Sequence, residues 1–339
     1  MHNHQEIKEK QRILPIEYHY VSDESFLRNF KKISPTLFEN HLKKLIVNRQ
    51  ALSVDELLVC AEKNKSYPQH CFIPTFDDSL RPTMKAVLPI LQRNKVQAIF
   101  FINTAPLINQ SLNLIEKQRI LQYVGSDYAT FFREFCQTAL EMFPHLPQNK
   151  FADTEKNREF AKQNYHPEFT FYSPLERYYR LLRDDYLKME EHKAIIDEMF
   201  DNNFDEYEWI NMINLRENDL LKIREEGHII AGHSHTHPFN MKKLNHHLQE
   251  AEIKQNLKEI EKILNEPISI YAHPSNSFDE TTINVLKQYG IKCAFKADYT
   301  FKSMNDYYRV PRIDAGLLYR FLEEENNENT DFNLKPSKT

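Results

Sequence analysis

Glycine and cysteine are both scarce in this chain. Only 5 of its 339 residues are glycine. Gly-rich loops let a backbone approach a phosphate closely, so this shortage argues against such a loop as the basis of function. The four cysteines (Cys60, Cys71, Cys136 and Cys293) are far apart in sequence and form no CxxC pair. They indicate reduced, mostly buried thiols in a reducing compartment.

Long apolar runs and an excess of positive charge are absent as well. No run of about 18 apolar residues occurs, which excludes a transmembrane segment. The N-terminal residues MHNHQEIKEKQRI are polar and lack the apolar stretch of a signal peptide, so we expect a cytoplasmic protein. The net charge is −5 with acidic and basic residues interspersed, and no nucleic-acid partner is therefore expected.

What the sequence does contain is enough apolar and aromatic material for a large core. It has 23 Phe and 17 Tyr, and a chain of 339 residues is a normal length for a single α/β barrel. Continuous apolar runs such as HCFIPTF (70–76) and QAIFFI (97–102) predict buried strands, with one helix between them at 84–94 and another before them at 35–48. Ser53, with Glu three residues later, predicts a capping box that opens a further helix.

The order of these elements predicts a βα barrel with a large helical insertion. Residues 1–106 and 209–322 would together form the barrel, in which strands and helices alternate. Residues 107–208 lack strand-like runs and would form a helical insertion, and 323–339 a flexible tail. Side chains at the C-terminal ends of the strands are then expected to carry the chemistry.

Asp77 and Asp78 directly follow the strand CFIPTF. Adjacent carboxylates at a strand end point in different directions, so one could bind a metal while the other remains free as a base. Asp is also common in turns and at helix N-caps, and an isolated Asp-Asp pair favours that interpretation.

The segment GHSHTHP (232–238) follows the strand HIIAG. His233 and His237 are four residues apart and would share a face in a helical turn, so both could reach one ion, whereas His235 would point elsewhere. Two histidines and one carboxylate leave coordination positions open for water and substrate, as a hydrolytic site requires. The alternative is a solvated histidine-rich loop.

A third segment, YAHPSNS (271–277), again follows a strand. Pro274 and the small residues after it suggest a stiff loop whose backbone N–H groups could face the site, but on its own the segment indicates only a turn.

Taken together, these segments resemble the polysaccharide deacetylase family, also known as carbohydrate esterase family 4 or the NodB-homology domain. TFDDS (75–79) is similar to its TFDDG motif, HSHTH (233–237) to H-[ST]-x-x-H, and AHPSN (272–276) to a weak form of its third motif. EYHYV (17–21) resembles the YHxV segment that opens the branch with permuted motif order, and RVPRID (309–314) resembles its ending. The likeness covers most of the chain outside 107–208.

The resemblance implies a distorted (β/α) barrel of the NodB type and a role for each matching residue. Asp78, His233 and His237 would hold one divalent metal, zinc by preference, with cobalt or nickel as alternatives. Asp77 would be the general base and His19 the general acid. The backbone N–H of Ser275, beside Pro274, would stabilise an oxyanion.

Three departures from the family pattern bear on these roles. Ser79 replaces the glycine of the first motif and asks for a slightly different turn. Ala272 stands where many members have the arginine that orients the base, a role that Arg309 or Arg312 could take. The insertion has no counterpart in small members, so the substrate cannot be inferred from theirs.

The implied function is hydrolysis of the N-acetyl group of an amino sugar, nucleotide- or lipid-linked, for a surface glycan. The alternatives are a deformylase or cyclic-amide hydrolase of the same superfamily, or an inactive carbohydrate-binding homologue. We further expect the insertion to lie over the barrel mouth and to supply substrate contacts or a surface for a homo-oligomer. Its stretches FFREF, FTFY and ERYYRLLRDDY could offer aromatic faces to a sugar, but most of these aromatics are expected to form the core of a helical subdomain.

Overall fold

The computed structural model describes residues 13–27, 29–125, 127–165, 172–300, 303 and 305–326. The described chain divides into two compact units. The first contains the residues before Leu112 together with those from Trp209 onward, and the second is Leu112–Glu208.

Parallel strands build the first unit. They are β1 (Leu14–Tyr18), β2 (Gln50–Ala51), β3 (Cys71–Phe76), β4 (Ile99–Ile102), β5 (Ile229–Gly232), β6 (Ile270–Ala272), β7 (Cys293–Lys296), β8 (Val310–Pro311) and β9 (Ile313–Asp314). Their order in the sheet is β8-β7-β6-β5-β4-β3-β1-β9, with β2 beside β3. Every recorded pair in this sheet is parallel, for example Tyr18 beside Phe76.

The two ends of this sheet are consecutive in sequence. β8 pairs with β7 at one edge, while β9, separated from β8 by Arg312 alone, pairs with β1 at the other edge. The segment Val310–Asp314 therefore spans the gap between the edges and nearly closes the sheet into a barrel. The predicted distorted (β/α) barrel is confirmed.

Helices connect the strands of this unit. They are α1 (Pro35–Asn48), α2 (Val54–Glu62), α3 (Arg81–Asn94), α4 (Ala105–Asn109), α11 (Glu206–Ile213, which begins in the second unit), α12 (Glu217–Glu225), α13 (His246–Leu264), α14 (Glu280–Gln288) and α15 (Leu318–Asn326). Short 3₁₀ turns lie at Ser25–Leu27, Met241–Lys243, Pro274–Asn276 and Ala315–Leu317.

Most of these helices agree with the sequence patterns, but the capping box at Ser53 is wrong. Ser53 does precede α2, yet its side chain makes no capping hydrogen bond. The N–H of Val54, the first residue of α2, donates to Gln97 Oε1, 2.9 Å away, so a side chain from another part of the fold binds this end of the helix. Local sequence alone could not reveal this partner.

Alternate residues of the strands face two different layers of core. Ile73, Phe101 and Phe295 belong to a buried cluster that consists largely of strand residues and fills the barrel interior. Their neighbours, such as Phe72 and Phe100, pack instead with residues of α1, α3, α12 and α13. The interior is thus a packed core, as is typical of α/β barrels, and the strand ends are left to carry function.

The second unit has helices and no strand among its described residues, in agreement with the sequence pattern there. Its helices are α5 (Leu114–Ile120), α6 (Tyr128–Met142), α7 (Gln148–Phe151), α8 (Glu155–Asn164), α9 (Pro174–Leu181) and α10 (Met189–Asp201), with π-helical turns at Leu121–Gly125 and Leu182–Tyr186.

The aromatic residues predicted to offer ring faces to a substrate form the core of this helical unit. Phe131, Phe135 and Tyr179 are almost fully buried, with ring centroids 4.8 to 6.2 Å apart, and Tyr179 is edge-on to both phenylalanines. The Arg183 guanidinium is paired with Asp184. In the stretch FTFY (169–172), the first three residues lie outside the described chain.

The C-terminal helix continues past the predicted start of the tail. α15 ends at Asn326, so residues 323–326 are helical, and 327–339 lie outside the described chain. In the part that the structure describes, none of the helices combines the length and apolar character needed to cross a membrane.

The packed barrel interior gives a test of the fold. Ile73→Ala removes a fully buried side chain, and we expect it to lower the free energy of unfolding by about 2–5 kcal/mol, because it leaves a cavity. Val47→Ala, at a position 80% exposed, is the control and should change stability by less than about 0.5 kcal/mol. Denaturant unfolding measures both, and equal effects would show that the interior is not packed as described.

Candidate functional site

The C-terminal ends of β1, β3 and β5 bring the predicted site residues together. His19 follows β1, Asp77 and Asp78 follow β3, and His233 follows β5. These strands are all parallel and lie near one another in the sheet, so their C-terminal ends meet at the same end of the barrel. The site therefore has the position that the barrel architecture predicts.

Asp78, His233 and His237 form a compact group of candidate metal ligands. Asp78 Oδ1 lies 3.6 Å from His233 Nε2 and 3.3 Å from His237 Nε2. All three residues are almost fully buried, and one ligand atom from each lies within 4.8 Å of the other two. Two imidazole nitrogens and one carboxylate oxygen thus face a common point.

The backbone that brings the two histidines together is not the helical turn that we predicted. Residues 233–238 form an irregular loop, in which Ser234 and His237 have φ values of +66° and +57°. The first motif also contains left-handed backbone, since Asp78 and Ser79 have φ values of +70° and +57°. Non-glycine residues in this left-handed region carry strain, which is typical of functional sites.

The surroundings of the histidines suit a metal. His233 Nδ1 lies 2.9 Å from the carbonyl oxygen of Ala272, so the N–H of that nitrogen donates to it and leaves Nε2 directed at the site. Metal-binding histidines are commonly held in this way. His235 lies apart, as predicted, with its Nδ1 2.9 Å from Thr104 Oγ1.

Asp77 lies beside this group and makes a two-pronged ion pair with Arg312. Arg312 Nη1 lies 2.7 Å from Asp77 Oδ1, and Nη2 lies 2.8 Å from Oδ2. Arg309 instead contacts Asp306 and Glu280. Of the two arginines that the sequence left open, Arg312 is the one that orients Asp77.

The arginine also keeps Asp77 ionised. Burial alone would raise the pKa of this carboxyl group, but the positive charge of Arg312, with a further contribution from His233, outweighs burial and lowers the pKa below its usual value. Asp77 is therefore a buried, oriented carboxylate, 3.7 Å from His233 Nε2.

Glu17 is a member of this cluster that the sequence analysis missed. It is 6% exposed, and its Oε1 lies 3.4 Å from Arg312 Nη2 and 3.7 Å from His19 Nε2. Burial raises the pKa of Glu17, Arg312 opposes this effect, and Asp77 adds to it. A signal was present in the sequence, because Glu17 interrupts an apolar strand two residues before His19, a spacing that puts both on one face.

His19 lies at the edge of the cluster and is more accessible than the buried residues Asp77, Asp78, His233 and His237. Its Nε2 is 3.7 Å from Asp78 Oδ2, and its side chain is 31% exposed. It can therefore exchange protons with solvent while remaining next to the buried carboxylates.

The third motif lies after β6. Pro274 is buried and Ser275 follows it with φ +52°, so the loop is tightly turned. The Ser277 N–H and the Asn276 N–H donate to carbonyl groups of the same loop. The placement of the Ser275 N–H relative to a substrate stays a prediction.

The charges of the cluster also fit a divalent cation. Glu17, Asp77 and Asp78 are three buried carboxyl groups, and Arg312 supplies one positive charge that contacts two of them. The Asp78 carboxylate faces two histidines, so these three side chains could bind a cation together. An N/O donor set of this kind suits zinc and its neighbours among the transition metals.

Sequence comparison gives a clear family match. Residues 64–124 and 185–294, just over half of the chain, match the model of the family described as polysaccharide deacetylase. These segments contain Asp77, Asp78, His233 and His237, whereas His19 and Arg312 lie outside them. No functionally curated protein matches the chain in sequence.

Solved structures show the same fold at low sequence identity. The deacetylase PplD of Streptococcus pyogenes, solved with acetate, is 15% identical with a TM-score of 0.54, over 92% of this chain and 96% of that one. IcaB of Ammonifex degensii is 12% identical with a TM-score of 0.56, over 93% and 97% of the two chains. The deacetylase domain of Bordetella bronchiseptica BpsB is 11% identical, with a TM-score of 0.50 over 89% and 95%.

The ion pair between Arg312 and Asp77 leads to a prediction about stability. We expect Arg312→Met to lower the free energy of unfolding at neutral pH by about 3–5 kcal/mol, because it leaves Asp77 and Glu17 buried without a cation. In the variant, both carboxyl groups would have a folded-state pKa above the unfolded value. The loss of stability should therefore be complete above the raised folded-state pKa. It should shrink as the pH falls and the two carboxyl groups become protonated.

Denaturant unfolding at pH 5 and pH 7.5, with a chelator present throughout, measures this effect. Arg309→Met is the matched control, because Arg309 contacts Asp306 and Glu280 rather than Asp77. A pH-independent loss, or an equal loss in the control, would contradict the assigned charge balance.

Proposed function

Since this chain belongs to the polysaccharide deacetylase family, we propose that it is a metal-dependent carbohydrate N-deacetylase. It would hydrolyse the N-acetyl group of an amino sugar to acetate and a free amine. One observation carries the proposal: a carboxylate oriented by an arginine, Asp77, lies beside a group of one carboxylate and two histidines.

Asp78, His233 and His237 would hold the metal, for which zinc is the first choice and cobalt or nickel the alternatives. When bound, a divalent metal supplies Lewis-acid polarisation of the N-acyl carbonyl and lowers the pKa of a coordinated water. Proton transfer during the reaction would be carried out by side chains of the protein.

Asp77 is proposed as the general base that takes a proton from the attacking water. Arg312 binds both of its oxygens, which fixes the direction of the carboxylate and lowers its pKa, so the basic form is present at neutral pH. His19 is proposed as the general acid. Its partial exposure permits protonation from solvent, and a proton is needed because an unprotonated amine is a very poor leaving group.

The Ser275 N–H, beside Pro274, would donate to the oxyanion that forms on attack. An inactive carbohydrate-binding homologue is the less favoured alternative, because the arginine missing from the third motif at Ala272 is replaced in function by Arg312. The identity of the sugar, the nucleotide or lipid carrier, the role in a surface glycan, the cytoplasmic location and an oligomer formed through the insertion stay predictions.

The metal site gives a direct test. Wild-type protein incubated with zinc and then desalted should retain one ion per chain, and a His233→Ala/His237→Ala double variant should retain none, because two of the three ligands are lost. His235→Ala is the control, since His235 belongs to the same motif but contacts Thr104. Elemental analysis measures the metal, and equal content in the double variant and the wild type would disprove the site.

The catalytic roles of Asp77 and His19 can be separated from metal binding. Asp77→Asn and His19→Gln should each lower turnover by about two to four powers of ten while metal content remains near normal. Asp55→Asn, an exposed position on α2, is the control.

The assay is release of acetate from nucleotide-linked and oligomeric N-acetyl sugars, with formyl analogues in parallel. A variant that retains the wild-type rate would refute the role of that residue. Formate release without acetate release would favour the deformylase alternative.

A further inference from the structure

Asn256, in the third turn of α13, is fully buried and lies directly behind the loop of His233 and His237. Its Oδ1 accepts from the His233 N–H at 3.0 Å. Its Nδ2 donates to the carbonyl oxygens of Ser234 at 2.7 Å and Ile102 at 2.8 Å. One amide side chain therefore ties the end of β4 to the loop that follows β5.

The hydrogen bonds of Asn256 act where the loop is strained. Ser234 has φ +66°, and its Oγ accepts from the His237 N–H at 3.1 Å. The carbonyl of the same Ser234 is the group that Asn256 holds at 2.7 Å. Asn256 thus fixes the backbone on both sides of the left-handed residue, and the positions of the two histidine rings follow from that backbone.

A second observation concerns the space that the amide occupies. A Cβ atom at Gly232 would lie 2.7 Å from Asn256 Oδ1 and 2.9 Å from a ring carbon of Tyr271. Contacts this short do not occur, so a side chain at Gly232 would force the amide to move. One of only 5 glycines in the chain thus stands where Asn256 approaches the strand.

We infer that Asn256 is a positioning residue for the metal centre: it holds the left-handed loop so that His233 and His237 face Asp78. The inference rests on the proposed function, because it assigns a role in metal binding. Without the amide, the N–H of His233 and the carbonyls of Ser234 and Ile102 would lose a buried partner. The loop would then exchange among conformations in which the rings diverge, and metal affinity would fall.

The alternative is that Asn256 merely stabilises the fold, and Gln249 provides the matched control. Gln249 lies two turns earlier on α13, is equally buried, and bonds to the Leu244 carbonyl at 3.0 Å and to the Thr282 hydroxyl at 2.6 Å. It contacts no residue of the histidine loop in these bonds. Asn256→Leu and Gln249→Met each replace a buried, hydrogen-bonded amide with an apolar side chain of similar size.

The experiment combines denaturant unfolding of metal-free protein with titration by Co²⁺ in competition with a chelator. We expect both variants to lose comparable stability, but only Asn256→Leu to weaken Co²⁺ binding, by about 10- to 100-fold, as is typical when groups that orient metal ligands are removed. The visible absorption of bound Co²⁺, which reports coordination geometry, should change in Asn256→Leu and not in Gln249→Met.

Gly232→Ala tests the same role of Asn256 without removing its amide. This variant replaces Asn256→Leu in the Co²⁺ titration if Asn256→Leu does not fold. It should also weaken Co²⁺ binding, because the added methyl displaces Asn256. Wild-type affinity and spectrum in folded Asn256→Leu, or in Gly232→Ala, would overturn the inference alone. Absence of Co²⁺ binding by the wild type would overturn it together with the proposed metal centre, so the two failures are distinguishable.

Discussion

The ion pair between Arg312 and Asp77 is the interaction on which the rest of the structure depends. Burying several carboxylates at one end of a barrel is costly, because each loses its hydration. Arg312 offsets this cost for Asp77 and Glu17 at once, at 2.7 Å and 3.4 Å. It also lies between β8 and β9, the strands that join the two edges of the sheet, and its Nε bonds to the carbonyl of Lys296 on β7. The segment that closes the barrel therefore also supplies the positive charge that compensates the buried carboxylates.

This coupling explains which parts of the site the sequence could predict. Asp77, Asp78 and His233 directly follow apolar strands, and a parallel barrel brings such ends together, so their proximity follows from local patterns. The partner of Asp77 could not be chosen in the same way. Arg309 and Arg312 are three residues apart in one short segment, so local sequence does not distinguish them. Only the fold does, by pairing Arg312 with Asp77, which is 235 residues away in sequence. Glu17 was missed because a charged residue in an apolar strand was not treated as a signal.

The loops of the site show a second limit of local patterns. The first motif of the family has glycine where this chain has Ser79, and Ser79 has φ +57°, a left-handed value that glycine adopts more readily. Left-handed backbone at Asp78, Ser234 and Ser275 is likewise carried by small polar residues, which tolerate it better than most. The scarcity of glycine therefore says little about how tightly this chain turns. Hydrogen bonds from neighbouring side chains stabilise this strained backbone. Asn256 donates to the Ser234 carbonyl, and the Asn103 amide donates to the His233 carbonyl at 2.5 Å.

Charge balance links these supports to the chemistry. Glu17, Asp77 and Asp78 against Arg312 leave two negative charges over when all three carboxyls are ionised, and a divalent cation on Asp78 with two neutral histidines would restore neutrality. If a divalent metal binds the folded loop and not the unfolded chain, its binding free energy would add to folding stability. The amide of Asn256 holds the left-handed loop from behind, and a bound ion would hold the two histidines from the front. The amide and the ion would then favour the same conformation of the loop.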